Sequence, residues 1–315
     1  MVHKKLHDWY AKNGRKDLPW RNTNDPYHIY ISEVMLQQTQ VKTVLERYYF
    51  QFLEKFPSLE VLSHADLDEV LKMWEGLGYY TRAKNLHKTA QITQPKLPET
   101  YEALLELPGI GKNTASAICA FAYKQNLAVM EANVKRILCR IHVLKNPKEE
   151  ALRELALKML DCENPYDYNQ AIMDIGATIC KVKNPICDEC PFSLICKAYK
   201  EKNFLYPEKK RKIVPTREVN IVVRHHNKKL YLKQRKGRFL HGLWGFEEVD
   251  EVSVDAEFLT DVEQKYTHFK LEAKVYVLHV EDHQDLYLSL DKIDQVALSG
   301  VDKKILAYFL TDNRV

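Results

Sequence analysis

The spacing of apolar residues divides the chain into two parts. From residue 1 to about residue 198, apolar side chains recur three or four positions apart, the spacing of helices that each bury one face. The segments with this spacing are 27–56, 63–74, 101–107, 113–123, 133–143, 149–160 and 169–180. Asp25-Pro26 precedes the first of them, and Asp caps free N–H groups while Pro tolerates the first helical position. The pattern predicts a mainly α N-terminal domain.

Beyond residue 205 the spacing of apolar residues changes. β-branched and aromatic residues alternate or cluster there as they do in strands. The predicted elements are strands over 219–224, 229–234 and 274–279 and a closing helix over 302–310, which Asp302 would cap. Pro207 and Pro215 bracket a basic run between the two parts. We therefore expect an N-terminal domain over 1–198, a basic linker over 199–217 and a smaller α+β domain over 218–315.

Composition places the chain among two-domain globular proteins. It has 315 residues, of which 45% are hydrophobic and 29% charged, and this balance excludes a disordered polymer. No apolar run is long enough to cross a membrane, and residues 1–15 mix charges in a way that a signal peptide does not. These features predict a cytoplasmic protein that does not bind membranes.

The net charge of +4 is only mildly basic, but a group of basic residues crowds into the linker. The group consists of Lys200, Lys202, Lys209, Lys210, Arg211, Lys212 and Arg217. Such a run could follow the phosphates of a nucleic acid, or it could be a solvated linker, and the pattern leaves both interpretations open.

The seven cysteines form two sets. Cys180, Cys187, Cys190 and Cys196 are separated by six, two and five residues, which in a reducing compartment favours a metal centre over disulfides. Their spacing leaves zinc and a 4Fe–4S cluster equally open. The other three, Cys119, Cys139 and Cys162, occur singly in apolar helical stretches and are predicted to be buried thiols.

A glycine-containing turn lies between two predicted helices. Gly109 and Gly111 occur in the run Leu-Pro-Gly-Ile-Gly-Lys over 107–112, and Lys112 and Asn113 begin the next helix. A Gly-x-Gly by itself is typical of any tight turn. Followed by a helix N-terminus, it can leave backbone N–H groups free to hold one phosphate. This hairpin would position DNA without reading its sequence.

These features, in this order, resemble the endonuclease III superfamily of DNA glycosylases. Three segments resemble the adenine DNA glycosylases (the MutY family) more specifically, and the match covers residues 5–198. They are Leu-Pro-Trp-Arg at 18–21, Ser-Glu-Val-Met-Leu-Gln-Gln-Thr-Gln-Val at 32–41 and Trp-Glu-Gly-Leu-Gly-Tyr-Tyr at 74–80. The resemblance implies a helix-hairpin-helix fold made of a six-helix barrel module and an iron–sulfur module. It also favours one 4Fe–4S cluster, held by the four cysteines of the loop 180–196, over zinc.

The resemblance implies that Glu33 protonates N7 of adenine and later helps to activate water. An isolated Glu would normally lie on the surface of an amphipathic helix, but the neighbours of Glu33 over 30–36 are mostly apolar. Desolvation among them is expected to raise its pKa. Two carboxyl groups in different environments can divide acid catalysis from stabilisation of the cationic sugar.

The second carboxyl group departs from the family pattern. The family has Asp-Gly-Asn before the helix that follows the hairpin, and this chain has Glu131-Ala132-Asn133. Glu moves the carboxylate outward by one methylene, and Ala lacks the backbone freedom of Gly. Three interpretations follow: Glu131 replaces the Asp, which we favour, the enzyme is slow or altered in substrate, or the protein binds lesions without cutting.

The resemblance also implies residues that contact the substrate. Gln38 and Tyr79 would wedge into the duplex, while Arg21 and Gln170 would line the adenine pocket. Lyase members have a Schiff-base Lys where this chain has Asn113, and Lys112 is one position away, so a monofunctional hydrolase is expected. Trp20 and Trp74 are predicted core residues.

The C-terminal part resembles the Nudix-like domain of the same family. Gly242-Leu-Trp-Gly-Phe246 resembles its strand entry, while 247–263 lacks the Arg-Glu-x-x-Glu-Glu core of a Nudix hydrolase. Tyr266-Thr267-His268-Phe269 matches the loop, usually Phe-Ser-His, that recognises 8-oxoguanine.

The resemblance thus implies a monofunctional enzyme of base excision repair. It would act as a monomer on double-stranded DNA, in the cytoplasm at the nucleoid, and would remove adenine opposite 8-oxoguanine or guanine. One alternative is a catalytically silent mismatch-binding protein, suggested by Glu131. Another is an endonuclease III-like glycosylase/lyase acting on oxidised pyrimidines, which Asn113 and the C-terminal domain oppose.

Overall fold

The computed structural model describes residues 2–208, 213–237, 239–281 and 287–312. Chain contacts divide the protein into two compact units. The first, here called the helical unit, is Met1–His64 with Asn85–Lys210, and the second, the strand-rich unit, is Ala65–Lys84 with Arg211–Val315. No helix among the described residues is long and apolar enough to cross a membrane. The basic residues 209–212 of the expected linker lie outside the described residues.

The predicted helices of the N-terminal part are present. In chain order the helices are α1 (Val2–Asn13), α2 (Pro26–Leu36), α3 (Val41–Arg47), α4 (Tyr49–Lys55), α5 (Leu59–His64), α6 (Leu67–Met73), α7 (Thr81–Thr93), α8 (Tyr101–Leu105), α9 (Lys112–Ala122), α10 (Ala132–His142), α11 (Glu149–Met159), α12 (Pro165–Thr178), α13 (Lys197–Lys200) and α14 (Gly300–Thr311). Short 3-10 turns occupy Pro19–Arg21, Cys187–Glu189 and Leu290–Gln295.

The long apolar segment 27–56 is three helices rather than one. The chain leaves the helical conformation after Leu36, and Gln38 adopts a φ of 59° before α3 begins at Val41. Asp25 caps α2 as predicted, by accepting a hydrogen bond from the backbone N–H of Tyr27. Because α2 is buried around most of its circumference, side chains that it carries are held inside the unit.

One apolar cluster of the helical unit forms between α1, α10 and α12. Leu6 of α1, Leu138 of α10 and Ile175 of α12 are fully buried in one apolar cluster. Trp20 and Trp74 are buried, as predicted. Cys119 and Cys139 are buried too, but the prediction for Cys162 is wrong because this residue follows the end of α11 and is exposed.

The strand-rich unit contains a six-stranded mixed sheet in the order β6-β7-β1-β2-β8, with β5 also paired to β1. Its strands are β1 (Thr216–His226), β2 (Lys229–Tyr231), β5 (Glu247–Val249), β6 (Glu257–Lys265), β7 (Lys270–His279) and β8 (Tyr287–Ser289), while β3 (Lys233–Gln234) and β4 (Trp244–Gly245) form a separate pair. Strands β1 and β7 are parallel, and the other pairings in the sheet are antiparallel. Helix α14 packs on the sheet through Ile305 and Phe309.

Two details of this unit differ from the sequence expectations. Asp302 does not cap α14: the cap is Ser299, whose hydroxyl accepts from the N–H of Asp302. The carboxylate of Asp302 is buried and pairs with both terminal nitrogens of Arg235, at 2.7 and 3.0 Å. Residues 247–263 form β5, a short connection and most of β6, two strands that the sequence pattern missed.

The segment 65–84 also differs from the expected division of the chain. The sequence analysis assigns it to the domain 1–198, but its contacts group it with the strand-rich unit. Helical spacing over 63–74 predicts a helix and does not indicate which surface the helix packs against. Strand β1 begins at Thr216, two residues before the expected start of the second domain.

Candidate functional site

A cavity of about 180 Å³ lies inside the helical unit. It brings together five residues that the sequence analysis singled out, namely Arg21, Glu33, Glu131, Asn133 and Gln170. Arg15, Trp20, Ser32, Phe121 and Met173 complete much of its wall. Pockets for drug-sized ligands are typically ~300–1,000 Å³, so this volume suits a smaller group.

Glu33 lies on α2, between the buried residues Ser32 and Val34. Burial raises the pKa of its carboxyl group to about 8, with a further contribution from the charge of Glu131 and partial opposition from Arg21. Burial has this effect because it penalises the charged form of an acid. At neutral pH Glu33 is therefore mostly protonated and able to donate a proton.

Glu131 is the residue immediately before α10 and lies on the cavity wall. Burial raises the pKa of this carboxyl group as well. The shift is opposed by the Nδ2 of Asn133, which donates a hydrogen bond to Glu131 Oε1 at 3.2 Å, and by Arg15, Arg136 and Arg21. The anion of Glu131 thus has more support than the anion of Glu33, so the two carboxyl groups occupy different electrostatic environments. Ala132 begins α10, a position that does not need the backbone freedom of glycine.

Asn133 is held by an arginine that sequence reasoning missed. Arg136 donates from Nη2 to Asn133 Oδ1 at 2.9 Å and to the carbonyl oxygen of Gly176 at 2.7 Å. Its Nε donates to the carbonyl oxygen of Cys180 at 2.8 Å. A Cβ atom on Gly176 would lie 2.5 Å from the Cβ of Asn133, so glycine is required there for the helices to approach. Arg136 therefore links the cavity wall to the first cysteine of the metal-binding candidates.

Arg21 is fixed at the cavity by a buried ion pair. Its two terminal nitrogens donate to the two oxygens of Asp174 at 2.7 and 2.9 Å. Arg15 adds a backbone and a side-chain hydrogen bond to the same carboxylate. Although burial alone would raise it, the pKa of Asp174 lies below its ordinary value because of these arginines. Asp174 was missed because its partners are more than 150 positions away in sequence.

Gln170 presents an unpaired acceptor to the cavity. The residue is 3% exposed, and its Oε1 has no hydrogen-bond partner among the described residues. An unsatisfied buried polar atom costs about 1–3 kcal/mol. A ligand with an N–H group at this wall would satisfy it.

The two glycines of the hairpin differ in conformation. Gly109 has a φ of 75°, and a Cβ there would meet the side chain of Asn85 at 2.7 Å. Gly111 precedes α9 with an ordinary extended conformation, and a Cβ there would enter open space. Gly109 is thus needed for the turn itself, whereas Gly111 leaves the helix N-terminus accessible. Lys112 is exposed, and Asn113 accepts a hydrogen bond from Arg153 at 3.0 Å.

The four clustered cysteines line one small cavity together with Arg140. Arg140 donates to the sulfur of Cys180 at 3.3 Å and to the carbonyl oxygens of Lys181, Val182 and Phe204. Within the described residues, no three His, Cys, Asp or Glu side chains form a group that could hold a single metal ion. Zinc binds each sulfur at about 2.3 Å, which requires the sulfurs to converge within roughly 4 Å of one another. The four thiols around this shared space are the residues that would hold a metal centre.

Three further predicted residues share a second cavity. Tyr79, Thr267 and His268 line a space of about 550 Å³ inside the strand-rich unit, beside the rings of Phe239 and Phe269. Thr267 and His268 are exposed in the turn between β6 and β7. Tyr79, at a φ of 49° and 42% exposed, contacts the hydroxyl of Thr267 through its own hydroxyl. Gln38 is exposed on the helical unit.

Comparison with known proteins defines the class of this site. Residues 31–162 match the HhH-GPD superfamily base excision DNA repair proteins. A thermostable thymine-DNA glycosylase is similar in structure, with a TM-score of 0.58 and 29% identity over 63% of this chain and 94% of that one. Endonuclease III in a non-covalent DNA complex matches with a TM-score of 0.54 and 18% identity over the same shares of the two chains. The helical unit therefore has the HhH-GPD glycosylase fold of endonuclease III.

Curated relatives define the family more narrowly. The adenine DNA glycosylase of Buchnera aphidicola subsp. Baizongia pistaciae is 40% identical over 75% of this chain and 69% of the relative. That of Buchnera aphidicola subsp. Acyrthosiphon pisum is 33% identical over 96% of this chain and 95% of the relative. The chain belongs to the adenine DNA glycosylase family, which confirms the resemblance seen in its sequence.

Proposed function

We propose that the protein is a monofunctional glycosylase that hydrolyses the N-glycosidic bond of adenine mispaired with 8-oxoguanine or guanine. The observation that carries this proposal is the buried Glu33, whose pKa of about 8 keeps its carboxyl group protonated in the cavity of the helical unit. A purine leaves deoxyribose easily only after it has been protonated. A positioned acid with a pKa near the working pH is suited to that transfer.

The wall of this cavity has groups that would contact the base and a group that would stabilise the sugar. Gln170 Oε1 would accept a hydrogen bond from the exocyclic amino group of adenine, and Arg21, held by Asp174, would contact the base from another side. Glu131, beside Asn133, would stabilise the cationic sugar as the bond breaks. Glu33, deprotonated by that step, would then assist the attack of water.

A lesion-binding protein without chemistry is the second candidate. It is favoured by Glu131 alone, because a carboxylate displaced by one methylene can cost on the order of a hundredfold in rate. The contact between Glu131 and Asn133 supports retained activity instead, since it holds the longer side chain at the cavity wall. A glycosylase/lyase is opposed by the cavity lining: no lysine occurs among the described residues that form it.

The substrate would be double-stranded DNA bound by a monomer. The target adenine must leave the helical stack before Glu33 can reach it. Gly109 and Gly111 would expose the N-terminus of α9 to a phosphate, assisted by Lys112 and Asn113. Gln38 and Tyr79, both exposed and both at positive φ, would enter the duplex near the mispair.

The strand-rich unit would be a Nudix-like domain that recognises the opposite base. Thr267 and His268 provide a hydroxyl and an imidazole at an exposed turn, and both can hydrogen-bond the edge of 8-oxoguanine. The cysteines Cys180, Cys187, Cys190 and Cys196 would hold one 4Fe–4S cluster, with Arg140 donating to the Cys180 sulfur. The bound cluster would fix the shape of the loop 180–196.

The experiment that tests the proposal is a single-turnover assay with one adenine placed opposite 8-oxoguanine. A monofunctional glycosylase gives strand scission only after alkali, and the Glu33→Gln variant, which cannot donate the proton, gives none. Scission without alkali would establish a lyase. Binding without scission in either condition would establish the lesion-binding alternative.

A further inference from the structure

The segment 65–84 is attached to the rest of the strand-rich unit by a buried carboxylate. Glu75 has a side chain that is 8% exposed, and three donors converge on it. Lys72 and Lys303 donate to Oε2 at 2.9 and 2.8 Å, and the backbone N–H of Leu298 donates to Oε1 at 2.9 Å. Lys303 belongs to α14, so the contact joins α6 and the turn after it to the C-terminal helix.

The surroundings of Glu75 favour its ionised form. Burial alone would raise its pKa, but the Lys303 and Lys72 ammonium groups and the Leu298 N–H hold the pKa below its ordinary value. A buried charge is tolerated only where it is paired and hydrogen-bonded, and here both oxygens have donors. Glu75 is therefore a specific point of attachment rather than a surface acid.

Further contacts hold the same segment against the sheet. Lys72 also donates to the carbonyl oxygen of Val296 at 3.2 Å, and Gln234 donates to Asp68 at 3.1 Å. The hydroxyl of Tyr80 donates to the carbonyl oxygen of Leu298 at 3.4 Å. Leu298 thus donates a hydrogen bond to Glu75 and accepts one from Tyr80, at the two ends of the short turn 75–80.

Tyr79, the residue that would enter DNA, lies near the end of the turn 75–80. Gly76 and Gly78 have φ values of 96° and 71°, and Tyr79 follows them with its hydroxyl against Thr267. Arg82 stacks over the rings of both Trp74 and Tyr79 and donates to the carbonyl oxygens of Leu77 and Gly78. Contacts within the strand-rich unit therefore fix the position of Tyr79. Glu75 attaches the start of the turn to α14, and Thr267 contacts the Tyr79 hydroxyl.

We propose that Glu75 is a positioning residue for recognition of the base opposite adenine. By fixing the turn 75–80 to α14, it holds Tyr79 against Thr267. Tyr79 and the turn that carries Thr267 and His268 then form one preorganised surface. Preorganisation increases affinity because the ordering cost is met before binding. The surface takes an oxidised purine in duplex DNA, and this inference rests on the proposed function.

The test compares the dissociation constants of two duplexes that carry a non-hydrolysable adenine analogue, one opposite 8-oxoguanine and one opposite guanine. Replacing Glu75 by Gln removes the charge that attracts Lys72 and Lys303 but keeps the length of the side chain. We expect the preference for 8-oxoguanine over guanine to fall by about tenfold in Glu75→Gln. Glu248→Gln is the matched control: Glu248 pairs with Arg217 on the sheet, and its loss is expected to leave the preference unchanged.

A double-mutant cycle separates positioning from simple structural support. If Glu75 acts through Tyr79 and Thr267, Glu75→Gln has little further effect on the preference in a Thr267→Ala background. Thermal unfolding verifies that each variant is folded. An unchanged preference in folded Glu75→Gln, or strictly additive effects in the cycle, would overturn the inference. Absence of any preference in the unsubstituted chain would instead contradict the proposed recognition of 8-oxoguanine.

Discussion

At the scale of single residues, the two carboxyl groups of the cavity differ in what surrounds them. Glu33 lies on α2 between the buried residues Ser32 and Val34, while Glu131 has Asn133 and three arginines nearby. Burial raises the pKa of both carboxyl groups, but the rise is opposed at Glu131 by the Asn133 hydrogen bond and three arginines, and at Glu33 by Arg21. The division of labour between acid and anion therefore follows from the local environment of each side chain.

This division predicts the pH dependence of adenine release. Glu33 is active when protonated, and because its pKa is raised to about 8 the protonated form persists through neutral pH and is lost above that value. We expect the single-turnover rate to fall above pH 8 by about tenfold per pH unit. NMR titration of the Glu33 carboxyl carbon provides an activity-independent check. A titration near pH 4.5 would show that the carboxyl group is not desolvated.

Gln170 gives a second prediction at this scale. Gln170→Met keeps the length of the side chain and removes the unpaired Oε1. We expect the rate with an adenine substrate to fall by about 10- to 100-fold, while stability stays the same or rises because a buried polar atom is lost. The rate of release of purine from the same position should change little, because purine lacks the amino group. An equal loss of rate for both bases would show that Gln170 does not recognise the amino group of adenine.

At the scale of elements, the hairpin offers a matched pair of substitutions. Gly109→Ala forces a Cβ into a positive φ and against Asn85, so it is expected to destabilise the protein by about 1–3 kcal/mol. Gly111→Ala places a methyl group in open space at the start of α9 and should leave stability unchanged while weakening DNA binding. Thermal unfolding and DNA titration of the two variants test this. Normal DNA binding by Gly111→Ala would argue against a phosphate at this turn.

The cysteine loop can be tested by its metal content. Its four thiols share one small cavity. We expect purified protein to be straw-coloured, with iron and sulfide each near four per chain, and Cys190→Ser to lose most of both. Stoichiometric zinc without sulfide would contradict the cluster.

At the scale of the whole molecule, the sequence predicts some features better than others. Helical spacing locates the helices, and apolar flanks single out Glu33, because both are local properties of the chain. Arg136 and Asp174 escape such reasoning, since their roles depend on partners brought together only by folding. Strand β6 escapes it for another reason: its many charged residues mask the alternation expected of a strand.

The grouping of 65–84 with the C-terminal residues is the largest departure from the linear division of the chain. It depends on contacts such as Glu75 with Lys303, which are separated by more than 200 positions. No periodicity in either segment encodes that pairing. A domain boundary placed from the sequence pattern divides the chain into continuous segments, so it cannot assign 65–84 to the second unit. Only the structure shows that Tyr79 and Thr267 belong to one unit.

Whether Glu131 supports catalysis is tested most directly by the rate of free adenine release, under single turnover, from a duplex with adenine opposite 8-oxoguanine. This measurement compares the unsubstituted chain with Glu131→Gln, which keeps the size of the side chain and removes its charge. We expect release by the unsubstituted chain and a rate at least about a hundredfold lower in Glu131→Gln. Equal inactivity of the two proteins, with tight binding retained, would contradict this expectation and leave a protein that binds the mispair without cutting.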